Sequence, residues 1–167
     1  MQNIFSDLDS ITRKRVIFID TCSCIETGKG FGEFIIRIMP FLKKNNVKLH
    51  VAYKCFQELG KISGSSSYEQ YKRDAAAEAI KVFGAMQSKD LLDVRGKESD
   101  SFADSVLLQN LLRYITKYDL MLITQDRKLA TDADMLNKLL SVKSKHTIKI
   151  AKLNNKGELV AIPLIKD

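Results

Sequence analysis

Four acidic residues stand where a chain that alternates strands and helices would deliver them to one place: Asp20, Glu58, Asp104 and Asp126. Carboxylates gathered in this way repel. Two unit charges ~4 Å apart cost about 4 kcal/mol at an effective dielectric near 20, so such a cluster must hold protons or bind cations. Magnesium and manganese suit oxygen-rich sites. One or two ions of this kind support hydrolysis of a phosphodiester by activating water and balancing developing charge. All four acids are therefore read as catalytic. Asp20, Asp104 and Asp126 are the candidate ligands for one or two Mg2+ or Mn2+, and Glu58 completes the site or orients the nucleophile. Alone, Glu58 would pass for a solvated helix residue; its weight comes from the other three.

The elements that must position these groups are legible as apolar runs. Val16-Ile17-Phe18-Ile19 after Arg13-Lys14-Arg15 reads as a strand buried on both faces, and Asp20 ends it. Leu120–Thr124 is a second such run, closed by Gln125-Asp126. Asp104 falls in the first turn or so of a helix over Phe102–Lys117, and Glu58 in a helix over Tyr53–Ile62. In an open parallel sheet, ligands bind outside the carboxyl ends of the strands, and helices that start there place their first turns beside that edge. Asp100, one turn before Asp104, is an auxiliary acid, whereas Asp132 and Asp134 read as surface charges.

The rest of the chain is assigned as follows. Residues 1–14 form a short helix or an arm. Thr21–Gly32, with Gly28, Gly30 and Gly32, reads as a flexible turn region without the spacing of a phosphate-binding loop. A helix spans Phe34 to Leu42, which Pro40 is expected to kink or shorten. Val47–Ala52 and Leu91–Val94 are strands, Ser63–Ser67 a flexible loop, and the alanine-rich Tyr68–Met86 a helix. A last helix covers Lys128–Val142. Residues 154–167 form a C-terminal extension, a hairpin turn at Asn154–Gly157 between strands Thr147–Leu153 and Leu159–Ile165. Strands alternating with helices predict a single α/β domain over residues 1–167, three-layer α/β/α with a mostly parallel central sheet.

Composition narrows the partners. The 167 residues carry 27 Lys+Arg against 20 Asp+Glu, a net +7. With the four acids set aside, the remaining 16 leave +11 for the rest of the molecule. A basic surface attracts a phosphate backbone, and Lys54, Lys61, Arg127 and Lys128 are the candidates to hold a nucleic-acid strand by its phosphates. Three cysteines, Cys22, Cys24 and Cys55, are too few and odd in number for a disulfide framework. Cys22-x-Cys24 has no second Cys/His pair to complete a zinc site and reads as small thiols packed beside the first strand. No run approaches the ~20 apolar residues of a membrane span, and the first residues lack the pattern of a signal peptide. A cytoplasmic protein that does not enter a membrane is expected.

Four blocks together resemble the PIN domain, a metal-dependent ribonuclease fold. They are Val-Ile-Phe-Ile-Asp20-Thr, Cys-Phe-Gln-Glu58-Leu, Phe-Ala-Asp104-Ser-Val-Leu-Leu and Leu-Ile-Thr124-Gln-Asp126-Arg-Lys-Leu-Ala. The resemblance runs from about Arg15 to Leu153. It implies a parallel sheet flanked by helices and an acidic site at Asp20, Glu58, Asp104 and Asp126. Thr124 would be the strand-end hydroxyl that helps hold metal or water. The implied activity is magnesium- or manganese-dependent endonucleolytic cleavage of single-stranded or structured RNA, leaving 5′-phosphate and 3′-hydroxyl ends. RNA is the implied partner. An antitoxin, an RNA-processing protein or a second copy of the chain in a homodimer are the protein partners that the family's habits leave open. The chain departs from the compact toxin-type members in its length, in the Ser63–Ser67 loop, in its C-terminal strands and in Asp20-Thr-Cys-Ser-Cys at the first block.

Other chemistries fit less well. A haloacid dehalogenase-type phosphatase wants Asp-x-Asp at the first strand, and Cys22 stands at the second position. An adhesion-type metal site wants Asp-x-Ser-x-Ser, which Cys22 and Cys24 deny. A receiver domain wants an acidic pair that the chain does not supply. The alternative kept open is a catalytically silent PIN-like module that binds RNA or acts as a scaffold.

Overall fold

The computed structural model describes residues 6–97, 102–140 and 145–166. Six strands form one sheet in the order β3-β2-β1-β4-β5-β6. These are β1 (Arg15–Ile19), β2 (Leu49–Ala52), β3 (Leu92–Arg95), β4 (Asp119–Ile123), β5 (Ile148–Leu153) and β6 (Leu159–Ala161). The first five run parallel, and β6 returns antiparallel to β5. The helices are α1 (Leu8–Lys14), α2 (Thr21–Ile25), α3 (Gly30–Lys44), α4 (Tyr53–Gly64), α5 (Gln70–Ser88), α6 (Ala103–Tyr114) and α7 (Arg127–Leu140). The fold is the expected α/β sandwich with a mostly parallel sheet between helical layers.

The chain moves outward in one direction from β1 to β3 and then jumps back to β4 on the other side of β1. Right-handed crossovers therefore put α3 and α5 on one face of the sheet and α6 and α7 on the other. Ring contacts mark both layers. Phe31 of α3 meets Phe83 of α5 edge-on at 5.4 Å, whereas Phe18 of β1 meets Tyr114 of α6 at 6.0 Å. β1 and β4 are central and apolar on both faces, with Ile17, Phe18, Ile19 and Leu120–Ile123 almost wholly buried. Emptying one such position, as in Phe18→Ala, costs roughly 3–5 kcal/mol.

Several expectations need revising. Thr21–Gly32 is not a flexible turn region: Thr21–Ile25 form α2, only Gly28 turns with a left-handed φ of 60°, and α3 begins at Gly30. Glycine at position 30 answers a packing demand, since a Cβ there would sit 2.1 Å from the Asn154 carbonyl oxygen. Gly157 of the β5–β6 turn has φ 78° and would drive a Cβ to 2.6 Å from the Phe34 backbone nitrogen. These two glycines let the C-terminal hairpin lie on α3. The hairpin is as expected, but its second strand stops at Ala161 rather than Ile165. Pro40 neither shortens nor ends α3, which runs on to Lys44. Ser63 and Gly64 belong to the end of α4, so the connection to α5 is shorter than the serine run suggests. Among the described residues no helix is long and apolar enough to cross a membrane.

Candidate active site

The reversal of strand order at β1 and β4 opens a crevice at their carboxyl ends, since the connections leave these neighbouring strands on opposite faces. Asp20 occupies it. Its backbone continues the β1–β4 pairing through Asp20 N–H to the Ile123 carbonyl at 3.0 Å, while its side chain caps α2 by accepting from the Thr21 N–H at 2.8 Å. The other carboxylate oxygen accepts from the Thr124 hydroxyl at 3.0 Å and the Cys22 thiol at 2.9 Å. Asp20 is 4% exposed. A carboxylate offers about four lone-pair sites, so three bonds fix its direction and leave capacity on Oδ1. Burial raises its pKa most, the three donors oppose this, and the Asp126 charge raises it further.

Asp126 sits opposite, at the start of α7. Its Oδ1 accepts from the Lys128 and Leu129 N–H groups at 2.8 and 3.2 Å, and its own N–H donates to Thr124 Oγ1 at 3.0 Å. Thr124 thus receives from one acid's backbone and donates to the other's side chain. Gln125, between them, bonds across to the Leu153 backbone of β5 through both side-chain amide atoms at 2.9 Å, which ties the chain to β5 two residues past the end of β4.

Asp104, in the first turn of α6, is pushed up to about 6, first by desolvation and then by the charges of Asp20, Asp126 and Glu58, in that order, with Lys128 opposing. Glu58 on α4 is raised by desolvation and by Asp20; the Thr21 hydroxyl, the Ala103 N–H and the charge of Lys54 favour its ionised form. Thr21 Oγ1 itself is buried without a well-formed hydrogen bond, so its help to Glu58 is that of a nearby dipole. A cleft of ≈ 260 Å³ is lined by all four acids together with Thr21, Cys22, Ile25, Glu26, Ile62, Tyr68 and Lys72. Asp20, Glu58, Asp104 and Asp126, drawn from four separate stretches of chain, face one space. Asp100 lies outside the described residues.

The cations expected at the rim divide. Lys54 and Lys128 act electrostatically on Glu58 and Asp104, although the Lys128 ammonium also pairs with Asp132 at 3.2 Å. Lys61 is exposed on α4. Arg127 is committed elsewhere: its guanidinium donates to the Pro163 and Leu164 carbonyls at 3.1 and 3.3 Å and pins the tail that follows β6. The cleft contains groups that the sequence reading passed over. Cys22 is no mere packing thiol, because it donates to Asp20 and accepts from the Gln125 N–H at 3.3 Å. Burial and the Asp20 charge push its pKa far up and keep it protonated. Tyr68, just before α5, and Lys72, in its first turn, also line the cleft.

The donor set is one of hard carboxylate oxygens and fits a small divalent cation. Asp20 retains capacity on Oδ1, and the bonds that cap α7 fall on Oδ1 of Asp126. Among the described residues, no three His, Cys, Asp or Glu side chains stand close enough to form a ready-made metal cage. Any ion bound here would itself have to draw the carboxylates inward. No known family model matches the chain, and no curated protein matches it in sequence.

Proposed function

We propose that the chain is a metal-dependent endoribonuclease of PIN-domain type, acting in the cytoplasm, with its site in the cleft of Asp20, Glu58, Asp104 and Asp126. The observation that carries this proposal is the single cleft that all four acids line, in which Asp104 is pushed up to about 6, first by desolvation and then by the charges of the other three. A carboxylate in that position is stabilised by any cation that enters. Asp20, Asp104 and Asp126 would hold Mg2+ or Mn2+, which when bound would offset phosphate charge and acidify a bound water. Glu58, poised above its usual range, is suited to orient the attacking water and take up its proton. Thr124 and Cys22 keep Asp20 aimed into the cleft. Lys54 and Lys61 would steady the strand by its phosphates.

The test is cleavage of total RNA with end mapping, wild type beside Asp20→Asn, with and without Mg2+ or Mn2+. Metal-dependent cuts bearing 5′-phosphates are expected from the wild type. For Asp20→Asn the rate is expected to fall about 10²–10⁴-fold. Cleavage by Asp20→Asn at the wild-type rate would overturn the site. Absence of both cleavage and Mn2+ binding by calorimetry in the wild type would leave the silent RNA-binding module as the better reading.

A further inference from the structure

Part of the cleft has no job in phosphodiester hydrolysis. Its lining continues from the acids onto Ile25 at the end of α2, Ile62 near the end of α4, Tyr68 just before α5 and Lys72 in the first turn of α5. Ile25 is buried, while Ile62, Tyr68 and Lys72 are half-buried. Carboxylates and a hydrated cation gain nothing from aliphatic and aromatic neighbours. A flat heterocycle does, because every base has a π-face that stacks on an aromatic ring regardless of its identity.

We infer that Tyr68, backed by Ile25 and Ile62, is the shelf on which one nucleobase of the bound strand stacks, with Lys72 holding a neighbouring phosphate. What arrives in the cleft is taken from the proposed nuclease function; the shelf itself stands on the composition of the wall. At ≈ 260 Å³ the cleft lies below the ≈ 300–1,000 Å³ usual for drug-sized ligands. A base that lies flat on Tyr68 has to leave the stack of a duplex, so Tyr68 would favour single-stranded segments, whose bases splay out at the least cost. Lys72 contributes a sequence-blind contact whose strength depends on salt.

The test is fluorescence anisotropy with a short, end-labelled single-stranded RNA and Mn2+, in the Asp20→Asn background so that binding is read without cleavage. Tyr68→Ala is expected to weaken binding about tenfold or more, and Tyr68→Phe to stay within about twofold because the ring is kept. An oligonucleotide with one base removed, scanned along its length, is expected to show one position with the same loss. At that position Tyr68→Ala is expected to add nothing further. Lys72→Ala is expected to weaken binding of all sequences alike and lower the salt slope by about one. If Tyr68→Ala binds within twofold of its parent while retaining the parent's thermal melt, or if the base-removal scan is identical with and without Tyr68, the shelf does not exist. Tyr68-dependent binding by a chain whose wild type never cuts RNA would sink the hydrolase proposal and leave the shelf standing. Efficient cutting with Tyr68-insensitive binding would do the reverse.

Discussion

The two edges of the parallel sheet treat negative charge in opposite ways. On the amino side, each of three acids is matched. Asp90 pairs with Lys48 at 2.7 Å, Asp9 with Lys44 at 3.2 Å, and Asp119 lies 3.7 Å from His146 while accepting the Thr147 N–H at 2.9 Å. Asp9 is lowered below the usual carboxylate range as a result, chiefly by its hydrogen bonds to Asn45 and Lys44. On the carboxyl side, Asp20, Glu58 and Asp104 are all raised. The nearby cations are partly spent elsewhere, Arg127 on two carbonyls and Lys128 on Asp132. A chain with seven surplus positive charges does not lack cations with which to neutralise this edge. One edge is built for folding, and the other keeps a charge deficit that a ligand can fill.

The sharpest way to break this contrast is to remove charge from each edge in turn. Asp104→Asn is expected to reduce metal-dependent cleavage by about two orders of magnitude or more while leaving the apo protein at least as stable as wild type above pH 6, measured by initial rates and thermal melts. A variant that lost stability along with activity would make Asp104 a structural group like those of the amino edge.

A second, smaller effect comes from metal. Mn2+ that binds only the folded protein adds about 2.7 kcal/mol when present at a hundred times its dissociation constant. The melting temperature of the wild type is expected to rise with Mn2+ at pH 7.5 and to respond weakly at pH 5, where Asp104 is protonated. The same titration of Asp104→Asn is expected to be flat or nearly so.

The pH dependence of the metal-free protein sharpens the contrast further. Asp104 has a folded pKa of about 6 against an ordinary 3.8, so between those values the folded state binds more protons than the unfolded. Stability from this group is full below about pH 4 and lost as the pH rises through 6. Solvent screening of a half-exposed carboxyl limits the effect to on the order of 1 kcal/mol. Asp9, lowered by its partners, has the opposite sign: its contribution is present above pH 4 and fades on acidification. Melts from pH 4 to 7 are expected to show a smaller loss in Asp104→Asn than in wild type, the remainder coming from Asp20 and Glu58, which are also raised. The smallest effect belongs to Lys48→Ala, where an exposed ion pair is removed. The melt is expected to shift only at the limit of measurement, with cleavage unchanged.

How much of this was legible in the chain depended on burial pattern. β1 and β4 announced themselves because a strand covered on both faces is an unbroken apolar run, and the acids that end them were found with them. α2 was invisible. Five residues give no periodicity, and its buried positions include Thr21 and Ser23, types that signal turns. The same Asp20 that drew notice as a site residue is also that helix's N-cap. Gly30 misled for a different reason: local propensity argues against helix there, and the demand for a bare backbone comes from Asn154, far along the chain. Tyr68 and Lys72 were missed because α4 and α5 follow one another with no strand between. Nothing local says that the second helix begins back at the cleft. Val47 and Lys48 place the expected start of β2 two residues early, since the ladder begins only where Leu49 meets Ile17.

Two of the four carboxylates also start helices: Asp20 accepts the first free N–H of α2, and Asp126 accepts two at the head of α7. Alanine at either position would strip a cap worth about 1 kcal/mol and fray the backbone that shapes the crevice, so a dead alanine variant could not separate chemistry from scaffolding. Asparagine keeps an oxygen for the cap at both positions, but at Asp20 its NH2 replaces the acceptor of the Thr124 hydroxyl and the Cys22 thiol. The architecture thereby dictates its own genetics: the amide at Asp126 reports on reaction, the amide at Asp20 has to be read beside a melt, and truncations report on reaction and scaffold at once.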